Sequence, residues 1–165
     1  MNSAGTIVSI GMGEMKVTND PAMSLCCVGL GSCIGFCAYD PVAKIGGMAH
    51  MVLPQQASQN EGIPSAKYVN TGIPFILEEM MKKGAIQSRL VVKMAGGAQM
   101  FNIPGANTAL DVGTRNIEMA NHVLAKIGVR YIRSDLGGNK GRTMYLIIEN
   151  GKVFVRTVGQ TNIEL

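Results

Sequence analysis

The sequence predicts a mixed α and β fold, rich in hairpin-like strand pairs and carrying two main helices. Short apolar runs broken by glycine dominate the first half of the chain, and similar runs return at its end. Between them, two segments repeat apolar residues at helical spacing and stop at a glycine. With 165 residues the chain is most simply one domain over 1–165, able to bury roughly 70% of the surface its unfolded form exposes. Neither a metal nor a disulfide is needed for such a core.

In chain order, strands are expected at Thr6–Ile10, Met15–Thr18, Leu25–Val28, Ile34–Tyr39 and Ile45–Leu53. The stretch from Pro54 to Pro64, with QQASQNEG inside it, reads as a mobile loop. A first helix is expected from about Tyr68 to Lys83, with Gly84 as its C-cap. Pro74 either kinks that helix or lies in its first turn. Glu78 and Glu79 precede Lys82 and Lys83 by four residues, an order that stabilises a helix end. A strand at Leu90–Met94 follows. In the second helix Ile117, Ala120, Leu124 and Ile127 share one face before Gly128, leaving His122 on the opposite, solvated side. Strands at Val129–Ser134, Thr143–Glu149 and Lys152–Val158 close the chain.

Composition narrows the classes of function. The N-terminal MNSAGTIVSIGMGEM lacks the basic start and apolar run of a secretion signal, and no later stretch is apolar for long enough to span a bilayer. A cytoplasmic protein without membrane insertion is expected. The net charge of +4 comes from scattered lysines and arginines, and aromatic residues make up only 5%. A nucleic-acid surface needs clustered basic residues beside stacking aromatics, so none is expected. Cys26, Cys27, Cys33 and Cys37 fall in one short stretch, a poor layout for stapling distant parts of a fold and a good fit to a reducing compartment. Their spacing does not make a zinc knuckle. The twelve methionines are dispersed, as core fillers are. No metal or cofactor is expected.

The chemistry-bearing feature is Cys33 inside the glycine-rich turn GLGSCIG, Gly29–Gly35, followed 17 residues later by His50. A thiol is only a few per cent ionised at neutral pH and needs a nearby imidazole or positive dipole to act as a nucleophile. Glycines allow a tight turn whose N–H groups can face a developing oxyanion. The competing reading is structural: small residues packed where two strands meet, around a buried thiol. GSCIG also matches the G-x-C-x-G form of a nucleophile elbow, but IGFCAYDP after the cysteine reads as a strand, not the helix an elbow requires. Neither Gly11–Gly13 nor Gly29–Gly31 completes a dinucleotide-binding G-x-G-x-x-G.

Four blocks, GLGSCIGFCAYDPVAKIGGMAHMVLP, AGGAQMF (Ala95–Phe101), VGTRN (Val112–Asn116) and DLGGNKGR (Asp135–Arg142), together resemble the CheD family of chemoreceptor glutamine deamidases, in the family's order. The resemblance implies an α/β sandwich of packed, mixed and largely antiparallel sheets with helices outside, similar to deamidating bacterial toxins. It implies a cysteine hydrolase that converts glutamines of methyl-accepting chemoreceptors to glutamate, with Cys33 as nucleophile and His50 as base. It also implies a partner, the phosphatase CheC, and so a second possible role as a regulatory binding module. The family's third catalytic position is a threonine six residues before the nucleophile. Here that position is Cys27, a weaker hydrogen-bonding group, so a backbone carbonyl could orient His50 instead. Gly96, Gly97, Gly137 and Gly138 are read as turn formers. Arg115, Asp135 and Arg142 are read as loop-fixing ion-pair partners. Met100 and Phe101 are either core or an exposed docking patch. A redox role for the four thiols is a third, minor reading.

Overall fold

The computed structural model describes residues 5–57, 65–101, 104–105, 111–129 and 131–165. Its strands form two five-stranded sheets. One has the order β1 (Thr6–Ser9), β3 (Met23–Leu30), β8 (Arg142–Ile147), β9 (Val153–Thr157), β10 (Ile163–Glu164). The other has the order β2 (Met15–Thr18), β5 (Ile45–Met51), β4 (Ile34–Asp40), β6 (Val91–Gly96), β7 (Tyr131–Leu136). The β1–β3 and β6–β7 pairs are parallel and the others antiparallel. Helices α1 (Val69–Lys82) and α2 (Val112–Ile127) complete the expected α+β sandwich.

Strand alternation explains the layering. Ile34, Phe36 and Ala38 of β4, with Ala49 and Met51 of β5 and Val92 and Met94 of β6, face the helices and pack on Ile73, Ile76, Leu77, Met80, Ala120 and Leu124. The intervening side chains, Cys33, Cys37, Tyr39, Met48 and Ala95, face the other sheet. There they meet Leu25, Cys27, Leu30, Met144, Leu146 and Val155. Every residue of β4 is buried, since it is central in its sheet and covered on both faces.

The differences from the expected elements have local causes. Helix α1 starts at Val69 and runs through Pro74, so it keeps the turn before the proline and gives up the one bond that Pro74 cannot donate. Strand β5 stops at Met51 because the N–H groups of Val52 and Leu53 both turn to the Lys67 carbonyl. Strand β7 begins at Tyr131, later than Val129, whose N–H still bonds Leu124 O after Gly128 caps α2 in the left-handed conformation at φ 81°. Strand β10 and the 3-10 turn at Gln87–Arg89 carry no strong pattern and were not expected. His122 is exposed, as its helical position requires. Of the expected mobile loop at 54–64, residues 58–64 lie outside the described residues.

The end of β4 far from Cys33 is fixed by a buried carboxylate. Asp40 Oδ1 accepts the N–H groups of Val42 (2.9 Å) and Ala43 (3.0 Å), closing the β4–β5 turn. Its Oδ2 accepts Ile86 N–H at 2.9 Å and Arg89 Nη2 at 2.7 Å. Burial pushes this carboxyl up, but the Arg89 guanidinium and the three N–H donors outweigh it and hold it well below the usual carboxylate range. Such a group stabilises the fold fully above its unfolded pKa, near ~3.9. The contribution declines as pH falls below that value toward the lower folded pKa. Asp40→Asn should therefore lower stability at neutral pH by about 3 kcal/mol, the usual cost of breaking a buried pair. It should also flatten the loss of stability between about pH 4 and more acid conditions. Thermal melts across acid pH check both; an unchanged pH dependence would remove Asp40 as its source.

Candidate functional site

The site forms where β3 crosses to the other sheet and becomes β4. Gly31, Ser32 and Cys33 make the crossing, and Ile34 then pairs with Met51 and Gly35 with His50 across the β4–β5 ladder. Paired residues in an antiparallel ladder share a face. Cys33 lies two residues from Gly35, so Cys33 and His50 face the same inter-sheet side at one end of the sandwich.

Backbone hydrogen bonds hold the crossing turn from behind. Ala98 N–H donates to Gly31 O and Gly97 N–H to Cys33 O, both at 2.8 Å. This close clamp depends on Gly96, where φ is 109° and an added Cβ would collide with the Cys33 carbonyl oxygen. The Ser32 carbonyl is taken by a side chain: Asn116 Nδ2 of α2 donates to it at 2.8 Å and to Val52 O at 3.0 Å. Among the described residues, no hydrogen bond occupies the N–H groups of Ser32 or Cys33.

His50 is held at one nitrogen and free at the other. Its Nδ1 lies 3.2 Å from Ile10 O, so Nδ1–H donates and Nε2 carries the lone pair. Nε2 is buried without a partner. The loop that supplies the Ile10 carbonyl is itself locked to β5, Gly13 N–H bonding His50 O at 2.8 Å and His50 N–H bonding Glu14 O at 3.0 Å. Burial lowers the pKa of His50, and the bond to Ile10 partly opposes this. The ring is therefore neutral at physiological pH and can accept a proton.

The thiols divide by reach. Cys33 retains 9% exposure, whereas Cys27 has none and Cys37 1%. Burial pushes the Cys33 thiol up, and its own backbone N–H acts in the opposite direction by favouring the thiolate. Burial pushes Cys37 to about 12, and raises Cys27 strongly with further repulsion from the neighbouring thiols. Cys27 Sγ contacts Ala49 O at 3.7 Å. It thus touches the backbone of the residue before His50, while the imidazole is oriented by Ile10 O. Cys26 points the other way along β3, opposite Tyr145.

The remaining expected residues frame this end. Arg142 is 6% exposed, pairs with Asp135 Oδ1 at 3.1 Å and donates to the carbonyls of Asp135 and Gly137. It fixes the loop whose Gly137 N–H bonds Gly96 O and whose Gly138 O accepts Gln99 N–H. Arg115 takes no part in this pairing and is exposed on α2. Met100 packs against Gly31 and is 44% exposed, and Phe101 beside it is 83% exposed, so the pair is surface and not core. Among the described residues no helix is long and apolar enough to cross a membrane.

Sequence reasoning missed the Ile10 carbonyl and Asn116. A carbonyl has no residue signature. Asn116 did leave one, because it precedes Ala120 by four residues on the buried face of α2, and a fully buried amide there requires partners.

A family model described as CheD chemotactic sensory transduction matches residues 52–157. A protein of Symbiobacterium thermophilum named probable chemoreceptor glutamine deamidase CheD is 44% identical over 158 residues, 95% of this chain and 96% of the relative. Proteins of the same name from Desulforamulus reducens and Pyrococcus abyssi are 42% and 41% identical, each over 152 residues, covering 92% of this chain and 91% of the relative. Matched along nearly its whole length by these relatives, the chain belongs to the CheD family.

Proposed function

We propose that the protein is a chemoreceptor glutamine deamidase in which Cys33 is the nucleophile and His50 the base and acid. The observation that carries this reading is the pairing of a reachable thiol, beside two uncommitted N–H groups, with an imidazole tied by Nδ1 and open at Nε2. The thiol proton passes to His50 Nε2 as Cys33 Sγ attacks the carboxamide carbon of a receptor glutamine. The N–H groups of Ser32 and Cys33 hold the oxyanion. His50 then gives its proton to the departing amine, which leaves as ammonia, and a thioester remains on Cys33. A water deprotonated at Nε2 attacks the thioester, releasing glutamate and the free thiol. Ile10 O takes the orienting role, and Cys27 braces the strand behind His50. The reaction draws only on these side chains and backbone groups. We place the protein in the cytoplasm, where these thiols stay reduced. Met100 and Phe101 form an apolar edge on which the receptor segment docks. CheC is a further partner on the strength of the family resemblance, and the exposed Phe101 suits a protein surface of this kind.

Incubating a receptor cytoplasmic fragment with the protein and mapping glutamine-to-glutamate conversion by mass spectrometry tests the reading. Cys33→Ala should lower conversion at least ~10³-fold while receptor or CheC binding persists. Cys27→Ala should cost no more than about tenfold, because a thiol is a weak hydrogen-bond donor. If neither wild type nor Cys33→Ala converts glutamine but both bind partners, the regulatory role replaces the enzymatic one.

Burial raises the Cys33 thiol and lowers the His50 imidazole, so the resting pair is a thiol and a neutral ring. Iodoacetamide alkylation of Cys33 should therefore rise with pH with a midpoint above the ~8.5 of a free cysteine. The acid limb of deamidation should lie below the ~6.5 of a free imidazole. An alkylation midpoint near neutrality would instead indicate a preformed thiolate–imidazolium pair. The net charge of +4 suits an acidic receptor surface. Binding should then weaken from about 0.05 to about 0.5 M salt as exposed charges are screened; binding unaffected by salt would show that apolar contact dominates.

A further inference from the structure

We propose that Asn116 is a positioning residue that sets the plane of the Ser32–Cys33 peptide and so aims the Cys33 N–H at the oxyanion. This inference rests on the proposed reaction at Cys33. A peptide unit is planar and trans, with its C=O and N–H pointing in opposite directions, and no cis bond occurs among the described residues. Whatever holds the Ser32 carbonyl therefore holds the Cys33 N–H. Asn116 Nδ2 is the group on that carbonyl, at 2.8 Å, and the Cys33 N–H at the other end of the unit stands against its own Sγ. The neighbouring Gly31–Ser32 peptide is fixed in the same way by Ala98 N–H on Gly31 O. One donor direction is thus set by a backbone group and the other by a single side chain.

Asn116 is also held in place itself. Its second amide proton goes to Val52 O at 3.0 Å. The β4–β5 ladder ends at Ile34 and Met51, and the next pair in register would have been Cys33 and Val52. The amide fills the gap where the two strands part, joining the end of the nucleophile strand to the end of the histidine strand from the α2 side. It is fully buried on a helix whose other inward residues include Gly113, Ala120 and Leu124. A buried amide on such a face costs free energy where its polar atoms go unpaired; both donors are used here, at the ends of the strands that carry Cys33 and His50, while Oδ1 is buried without a partner. An apolar residue at 116 would suit the helix as well; what it would lack is the donor to Ser32.

The test compares two reactions of the same sulfur. Acylation of Cys33 by p-nitrophenyl acetate passes through a tetrahedral oxyanion, while alkylation by iodoacetamide at the same pH does not. Cys33→Ala supplies the background for both, and neither reaction requires a receptor. In Asn116→Ala and Asn116→Ser, acylation should fall about 10- to 100-fold, a misaimed donor costing somewhat less than the ~10²- to 10³-fold of a deleted one. Alkylation should stay within about threefold of wild type. Asp40→Asn is the stability control: it lowers Tm and should leave both rates unchanged. Unchanged acylation in the Asn116 variants overturns the proposal. So does a parallel fall in both reactions, or loss of the fold in both variants, since either gives Asn116 a purely structural role. A wild-type Cys33 inert to both reagents is a different outcome, refuting the nucleophile reading itself.

Discussion

The placement of β4 is the constraint on which the rest of the molecule depends. It lies between β5 and β6, with helices on one face and the second sheet on the other, and all seven of its residues are buried. A strand in that position has little freedom in register, because a slip of one residue would exchange Phe36 and Ala38 for Cys37 and Tyr39 on the helix side. Fixing β4 fixes what flanks it. His50 comes opposite Gly35, and Gly96, at the end of β6, comes opposite Ile34. The Gly31–Cys33 turn then has the strand of His50 on one side and the turn at Gly96 on the other, with no further adjustment.

From that frame the chemistry follows by taking carbonyls out of play. Gly31 O, Ser32 O and Cys33 O each accept a hydrogen bond from elsewhere in the fold. The N–H groups of Ser32 and Cys33 are left uncommitted among the described residues. A turn of this kind has a donor-rich inner side and a satisfied outer side, which suits negative charge developing on a substrate oxygen. The histidine is treated similarly, with one nitrogen spent on Ile10 O and the other kept free. Burial disfavours charge on both Cys33 and His50, so the proposed pair rests as a thiol and a neutral ring.

Much of this was legible in the sequence because it is local. The glycine-broken apolar runs mark the strands, Ile117, Ala120, Leu124 and Gly128 mark α2 and its end, and the GLGSCIG turn with His50 marks the candidate site. What stayed hidden is long-range and backbone-borne. Nothing in Thr6–Ser9 announces a parallel pairing with β3 in a different sheet from β2. Likewise Ile10 gives no sign that its carbonyl will meet an imidazole 40 residues away. The Cys27 substitution was visible, and with it the prospect that a backbone carbonyl orients His50; which carbonyl does so was not, nor that the sulfur turns to Ala49 O. Asn116 stood in plain view as a polar residue on an apolar face, yet its partners lie 84 and 64 residues distant.

Strand β4 also separates two tasks along its length. Cys33 precedes its first residue and Asp40 is its last; at ~3.4 Å per residue the two lie on the order of 20 Å apart. Energetic effects at sites so far apart with no shared partners are close to additive. Selection can therefore strengthen or loosen the Asp40–Arg89 end to suit a habitat's temperature without retuning the reacting end. A lineage moving between cool and hot surroundings would have an adjustable anchor at one end of the strand and an unaltered Cys33 turn at the other.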